Sequence, residues 1–155
     1  MFLSLLWTLA CAPAPPIAEG GGGGVEGATL HRSSAGDATA WVVRGATGTE
    51  LWVQRGDERW LHTSEGAPDR LALSDDGRQL AWVASLDGLP ALFTSPAEPG
   101  ARPVPLTNVG LQRRKGQAPD GFVPPPVHEG DLRFDGDDLH WDSPAGAQRV
   151  RWRQP

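Results

Sequence analysis

Apolar and polar side chains alternate with a period of two along much of the chain. In QLAWVAS, Leu80, Trp82 and Ala84 alternate with their neighbours. In QRVRWR, Val150 and Trp152 do the same. Successive side chains of a strand point to opposite faces, so this period predicts β-strands. The runs are separated by SAGD, SDDGR, SLDG and SPAG, in which glycine supplies the positive φ of a tight turn. The pattern therefore predicts an all-β fold built from hairpins.

The alternating pattern repeats at an interval of 41 residues. Placing Trp41 over Trp82 aligns LHRSSAGDATAWVVRGATGTELW with LALSDDGRQLAWVASLDGLPALF without a gap, and Gly36 then falls on Gly77. A shorter third copy, LRFDGDDLHWDSPAGAQRVRW, places Trp141 in the tryptophan position. Each full copy is predicted to form four strands, near 30–33, 38–44, 50–55 and 59–63 in the first and near 71–74, 79–84, 91–95 and 102–107 in the second.

A four-stranded unit that recurs about every 40 residues is the signature of a β-propeller blade. The second copy resembles the WD-like repeat of TolB-type β-propellers, with its aliphatic strand, Ser-Pro-Asp-Gly-Lys/Arg turn, aromatic-ended strand and closing Leu-Thr. The matching residues are Ser74, Asp76, Gly77, Arg78, Trp82, Leu106 and Thr107, while Asp75 stands where proline is usual. The resemblance is good over 71–108, moderate over 30–63 and weak over 131–152. It implies a binding or scaffolding module that uses the loops at the blade tops.

The number of units does not match a closed propeller. Propellers close with roughly four to eight blades, whereas this sequence contains two full units, about 29–65 and 70–108, and a third of three strands, about 131–153. We expect a β-repeat domain over 29–155 in which antiparallel four-stranded meanders form part of a propeller-like arrangement. The alternatives are a self-closed β-sandwich or barrel, a partial propeller completed by another chain, and a fragment of a longer ancestor.

Six tryptophans follow the N-terminal apolar run. A buried tryptophan removes about 150 to 250 Å² from water, so these side chains should dominate the core. We expect three of them inside it, at the aligned positions Trp41, Trp82 and Trp141. The other three are expected in the core or at an interface: Trp52, Trp60 and Trp152.

The N-terminus is predicted to be a targeting segment. The apolar run in MFLSLLWTLAC is too short to cross a bilayer of roughly 30 Å as a helix, but it has the length of a signal-peptide core, so residues 1–10 are assigned to a signal peptide. Leu9, Ala10 and Cys11 resemble the bacterial lipobox, where signal peptidase cuts before a lipidated cysteine. Residues 11–28, rich in proline and then glycine, have the composition of a tether.

The lipobox resemblance implies lipid attachment at Cys11 and a location on the periplasmic side of the bacterial envelope, anchored in the outer membrane. The expected partners are then another envelope protein or a peptidoglycan-associated component, and the membrane through the lipid. The incomplete set of repeats adds a second copy of the chain as a possible partner. The alternatives are a plain secretory signal with an incidental cysteine and a misplaced start codon.

The charge composition argues against nucleic acid as a partner, because the sequence has 14 basic and 19 acidic residues and a net charge of −5. The basic cluster Arg113, Arg114 and Lys115 lies in an insert, 108–130, that fits no strand template and contains VPPP. The insert is either a partner-contact loop or a solvated connector. A second candidate contact is a stripe at the C-terminus, which serves either an acidic partner or edge protection: Arg149, Arg151 and Arg153.

We predict no catalytic residue, metal site or cofactor. HEGD, from His128 to Asp131, lacks the second histidine of a zinc helix, and the aspartates of DGDDLHWD lack the spacing of a calcium loop. No nucleophile elbow or phosphate loop is present in the sequence. The first functional hypothesis is a non-catalytic exported binding or scaffolding module. The alternative is the non-catalytic propeller portion, or a remnant, of a peptidase or hydrolase.

Overall fold

The computed structural model describes residues 27–113, 117–128 and 130–153, which form three antiparallel sheets with consecutive strands as neighbours. Sheet one contains β1 (Ala28–Ala35), β2 (Ala38–Arg44), β3 (Thr49–Arg55) and β4 (Glu58–Thr63). Sheet two contains β5 (Asp69–Leu73), β6 (Gln79–Leu86), β7 (Leu89–Pro96) and β8 (Val104–Pro105). Sheet three contains β9 (Arg133–Asp135), β10 (Asp138–Ser143) and β11 (Gly146–Arg151).

The predicted strands of the first two copies are confirmed in order and pairing, and β8 shows the largest difference. It has two residues where a strand over 102–107 was predicted. Pro103 and Pro105 have no backbone N–H to donate, which limits the ladder that this outermost strand can form with β7.

The sequence SDDGR folds as the turn between β5 and β6. The Ser74 hydroxyl donates to Asp76 Oδ1 over 2.6 Å, and the same oxygen accepts from the backbone N–H of Arg78 over 3.0 Å. The hydrogen bond from Ser74, followed by that from Arg78, holds the pKa of the Asp76 carboxyl below its usual range. Gly77 has a φ of 68°. The acidic pair is therefore a turn element.

The three sheets stack face to face around two hydrophobic cores. The first lies between sheets one and two and includes Val42, Leu51 and Trp82; the second lies between sheets two and three and includes Val83, Leu139 and Trp141. β5 contacts both β1 and β9. None of the sheets formed by the described residues is closed, so the partial propeller-like prediction is confirmed and the self-closed sandwich or barrel is not formed.

The turns of the three sheets lie at one end of the stack, which we call the turn end. It carries the β1–β2, β5–β6 and β9–β10 turns. Arg55 of sheet one donates to the carbonyl oxygen of Gly77 in sheet two, and its Nε lies 3.2 Å from a carboxylate oxygen of Asp37. The first two sheets are therefore joined by this side chain-to-backbone hydrogen bond as well as by the first core.

The tryptophan predictions are confirmed at two of the three aligned positions. Trp82 and Trp141 are 1% and 2% exposed, whereas Trp41 is only partly buried. All three tryptophans lie on the equivalent face of their sheets. No described sheet packs on that face of sheet one, so Trp41 is not in a core and the prediction for it was wrong. Trp60 packs against the first core and Trp152 against the second.

The outward face of sheet one, called here the aromatic end face, has an apolar centre. Register places Trp41 opposite Trp52 and Trp52 opposite Leu61, so the three side chains share one row across β2, β3 and β4. Leu61 is 45% exposed. Glu50 precedes Trp52 by two residues on the same face, and Arg59 lies on that face at the other side of the row.

The described part of the 108–130 insert is anchored to sheets two and three. The Asn108 side chain donates to the carbonyl oxygens of Pro90 and Val123 over 2.7 and 2.9 Å and accepts from the Val123 N–H over 2.8 Å. Trp141 Nε1 donates to the carbonyl oxygen of Pro124 over 2.9 Å, and Pro126 is fully buried. The VPPP segment therefore docks on the tryptophan of its own chain.

Several predictions fall outside the described residues: the signal peptide 1–10, Cys11 with most of the 11–28 tether, and Arg114 and Lys115. Within the part of the chain that is described, no helix has the length and apolar character needed to cross a membrane.

Candidate functional site

A cleft of about 480 Å³ opens at the turn end between sheets two and three. The β5–β6 turn forms one wall, and the β9–β10 turn with the segment after β11 forms the other. The cleft thus lies where two repeat turns face each other across the second core. Its lining residues are Ser74, Asp75, Asp76, Arg78, Gln79, Phe134, Asp135, Gly136, Trp152 and Arg153.

One wall of the cleft is aromatic and held by several contacts. The rings of Phe134 and Trp152 meet edge to face, with centroids 5.5 Å apart and planes at 86°. Trp152 Nε1 donates to the carbonyl oxygen of Gly136 over 3.0 Å. The backbone N–H of Trp152 donates to the carbonyl oxygen of Asp137, also over 3.0 Å. Although Trp152 follows the last strand, its ring is fixed in place.

Charges of both signs border this aromatic wall. Asp75 and Arg78 are exposed on the turn side of the cleft. Across from them, the Arg153 guanidinium lies 5.0 Å from the centre of the Trp152 ring, and its Nη1 lies 3.1 Å from a carboxylate oxygen of Asp137. Such a surface can combine stacking with hydrogen bonds to donors and acceptors of a polar ligand.

The predicted basic stripe is divided between two surfaces. Arg153 reaches the cleft, whereas Arg149 and Arg151 lie on the outward face of sheet three, called here the charged end face. Register gives this face seven ionisable side chains and one alanine: Arg133, Asp135, Asp138, His140, Asp142, Ala147, Arg149 and Arg151. Because its arginines and aspartates balance, the face is not a cationic surface.

Arg113 lies apart from both surfaces. It is exposed in the connector after β8, where it lines a second cavity with residues of its own loop, and its Cδ approaches Gly88. The structure therefore places Arg113 and Arg153 in different regions, and the described members of the two predicted basic groups do not form one site.

A Ser–His contact that the sequence did not reveal lies between sheets one and two. His62 Nε2 lies 2.7 Å from the Ser95 hydroxyl oxygen, and Trp82 meets the imidazole edge to face at 5.3 Å. Burial lowers the pKa of His62 to about 4. Ser95 is 2% exposed, and its hydroxyl also donates to the Pro96 carbonyl oxygen over 3.1 Å, so the contact lies in the interior. We assign this pair to interior packing.

The other chemical candidates are turns. The backbone N–H of His128 donates to Asp131 Oδ2 over 2.9 Å, so these two residues are bonded to each other. Among the described residues, no group of three or more His, Cys, Asp or Glu side chains is arranged to hold a metal ion.

Comparison with known proteins supports the fold. No protein-family model matches the chain, and no curated protein matches it. Among solved structures, the crystal structure of TolB from Acinetobacter baumannii is similar, with a TM-score of 0.51 and 19% sequence identity. The match covers 81% of this chain but 30% of the TolB chain, so this protein spans less than a third of the length of that relative. What the chain shares with TolB is thus the stacked, propeller-like arrangement of antiparallel sheets.

Proposed function

We propose that the chain is a non-catalytic binding module of the bacterial cell envelope. Its 29–155 domain holds an extended segment of another envelope protein, or of a peptidoglycan-associated component, in the cleft between sheets two and three. The observation that carries this proposal is the fixed Phe134–Trp152 wall bordered by Asp75, Arg78 and Arg153. The propeller-like fold shared with TolB supports a binding module.

The chemistry of the cleft favours a short polar segment as the ligand. An aromatic wall accepts an apolar or planar side chain, while carboxylates and guanidinium groups on both sides accept backbone amides and side chains of either charge. At about 480 Å³ the cleft has the volume of a small-ligand site, so a few residues would fill it.

The proposed location depends on the N-terminal sequence. The apolar run before Cys11 has the length of a signal-peptide core, and Leu9 and Ala10 match the lipobox. A lipid on Cys11 would hold the domain at the periplasmic side of the outer membrane, with residues 11–28 as the tether. Several acyl chains anchor far more firmly than one.

Site-specific photo-crosslinking in a bacterial host tests the cleft. A photoreactive amino acid replaces Asp75 on the exposed wall, and a matched derivative carries it at Asp57, an exposed turn residue of sheet one outside the cleft. The expected result is a discrete adduct from position 75 that position 57 does not form. Trp152→Ala should abolish the adduct, because it removes half of the aromatic wall.

Two results contradict the cleft proposal. One is the same adduct from both positions, and the other is an adduct at position 75 that survives Trp152→Ala in a folded protein. Fold is checked by circular dichroism of each variant.

Metabolic labelling with a fatty-acid analogue tests the anchor separately. The chain should be labelled and should fractionate with the outer membrane, and Cys11→Ser should lose the label and leave the membrane fraction. An unlabelled chain would disprove the anchor without affecting the cleft.

A further inference from the structure

Sheet three differs from the other two sheets in having three strands among the described residues instead of four. Sheets one and two each have a fourth strand at their outer edge, β4 and β8. In sheet three that edge is β11, which pairs with β10 and with no other described strand. The outer side of β11 is therefore the position at which a further strand would complete the third repeat unit.

The backbone of β11 presents hydrogen-bonding groups on this outer side. Pairs that exchange backbone hydrogen bonds alternate with pairs that do not along antiparallel strands. The N–H of Trp152 donates to the carbonyl oxygen of Asp137, so the even-numbered residues of β11 bond to β10. The N–H and C=O groups of the odd-numbered residues then point outward: Ala147, Arg149 and Arg151.

β11 lacks the features that block pairing at the edge of sheet two. β8 has two residues, and Pro103 and Pro105 cannot donate to a neighbouring strand. β11 has six residues and no proline. An open groove of about 530 Å³ is lined by Asp137, Asp138, Arg149, Val150 and Arg151. Because consecutive residues of a strand point to opposite faces, a groove that reaches three consecutive residues of β11 follows its edge.

The side chains of β11 indicate the composition of a strand that fits there. Arg149 is exposed and forms no ion pair with another described residue, whereas Arg151 lies 3.6 Å from a carboxylate oxygen of Asp137. On the opposite face, Val150 and Trp152 are partly buried against the second core. Directly opposite side chains of neighbouring strands interact, so an acidic residue fits opposite Arg149 and an apolar residue beside Val150.

A second copy of β11 is a poorer occupant of this edge. Antiparallel pairing of β11 with itself through its outward groups would set arginine opposite arginine or alanine, because those groups belong to Ala147, Arg149 and Arg151. Like charges directly opposite each other destabilise a strand pair. The arginines therefore disfavour the chain's own edge and favour an acidic strand.

We propose that the outer edge of β11 binds an extended acidic segment of another protein as a fourth, antiparallel strand of sheet three. Backbone hydrogen bonds to Arg149 and Arg151 hold the segment, and a carboxylate opposite Arg149 selects it. Apolar side chains beside Val150 extend the second core. Arg149 does not line the cleft between sheets two and three, so this inference is independent of the ligand proposed there.

Fluorescence anisotropy of a labelled peptide tests the edge, with the full chain carrying Cys11→Ser to exclude lipid-driven association. The peptide alternates glutamate with valine and matches β11 in length. Arg149→Glu should weaken its binding about tenfold, because carboxylates then oppose each other. Arg133→Glu is the matched control, since Arg133 lies in the same row of the same face but on β9. It should leave binding unchanged.

Methylated peptides test whether the peptide pairs as a strand. In an antiparallel strand whose glutamates oppose Arg149 and Arg151, the glutamate N–H groups point at β11 and the valine N–H groups point away from it. Methylating the glutamate nitrogens should therefore abolish binding, whereas methylating the valine nitrogens should preserve it.

Several outcomes overturn this proposal. They are a peptide that does not bind, binding that Arg149→Glu leaves unchanged, binding that survives methylation at the glutamates, and binding lost equally with both methylated peptides. Self-association of the chain that Arg149→Glu alters in sedimentation velocity would instead assign the edge to a second copy. Circular dichroism confirms that each variant is folded. Arg149→Glu should leave the cross-link at position 75 unchanged, so the two proposals fail separately.

Discussion

Trp82 and Trp41 occupy the same position in consecutive sheets and point the same way along the stack, yet only Trp82 is enclosed. Trp82 is 1% exposed and stacks on Phe93, with ring centroids 5.8 Å apart. Trp41 lies beside Trp52 on the outward face of sheet one and is partly buried. The difference arises from the place of each sheet in the stack, because the side chain of Trp82 meets sheet one and that of Trp41 meets no described sheet.

Alanine substitution should therefore separate the two equivalent tryptophans. Trp82→Ala removes a side chain from the first core and should lower the free energy of unfolding by about 3 to 5 kcal/mol. Trp41→Ala should lower it by roughly 1 kcal/mol, since much less surface is returned to water. Urea unfolding monitored by circular dichroism measures both values at low protein concentration. Equal losses would mean that Trp41 is covered in solution.

Local sequence patterns predicted the strands well because each depends on neighbouring residues. Alternation and turn glycines specify β1 to β7 directly. The 41-residue repeat specifies the orientation of Trp41 and Trp82, and the shorter third copy does so for Trp141. The repeat could not specify how far each tryptophan is buried, because burial depends on whether another sheet packs on the face that carries it. It also could not show that Pro124 would accept a hydrogen bond from Trp141, since that contact joins a connector to a sheet.

The candidate site was much less predictable than the fold. Of the basic residues singled out from the sequence, Arg153 lines the cleft, while Arg149 and Arg151 face away from it. Phe134 was not singled out from the sequence, and Trp152 was expected only in the core or at an interface, because their rings meet only after β9 and β11 have both paired with β10. The His62–Ser95 contact joins two sheets and follows no local spacing.

Turn glycines at equivalent positions should differ in their tolerance of a side chain. Gly77 and Gly136 both have positive φ, 68° and 57°. A Cβ on Gly77 would overlap the carbonyl oxygen of Ala35 in sheet one, whereas a Cβ on Gly136 meets nothing within 4 Å. Gly136→Ala should cost about 1 kcal/mol of backbone strain, and Gly77→Ala roughly 2 to 4 kcal/mol because the sheets must also move apart.

Thermal and urea unfolding of the two glycine variants provide the measurement. Gly136→Ala serves as the control for backbone strain alone. If both variants lose the same stability, close packing of the β5–β6 turn against sheet one is not present in solution.

Asn108 should control the order of the connector between sheets two and three. It is buried, has a φ of 57°, and makes three hydrogen bonds to Pro90 and Val123. Asn108→Gly permits the same φ but removes all three bonds, and we expect a loss of about 2 kcal/mol. Amide exchange over 117–128 should become faster, as measured by hydrogen–deuterium exchange mass spectrometry. Gln117→Ala, an exposed change in the same connector, should have no such effect.

The partly buried His62 should make stability depend on pH. Burial lowers the pKa of His62 from 6.5 to about 4, so between these values the unfolded chain binds a proton that the folded chain does not. Stability should therefore fall as the pH falls from 6.5 towards 4 and should lose no more on this account below 4. Allowing for partial solvent screening, we expect the His62 contribution to be about 2 kcal/mol. Urea unfolding across this pH range measures it.

His62→Gln isolates this contribution, because glutamine can still hydrogen-bond Ser95 but does not titrate. The variant should lose less stability than the wild type between pH 6.5 and 4, while the carboxylates common to both proteins contribute equally. His128→Gln, at an exposed position in the connector, is the matched control and should keep the wild-type slope. An unchanged slope in His62→Gln would show that the imidazole is hydrated in solution and that sheets one and two pack less closely around Trp82 than the 5.3 Å ring contact indicates.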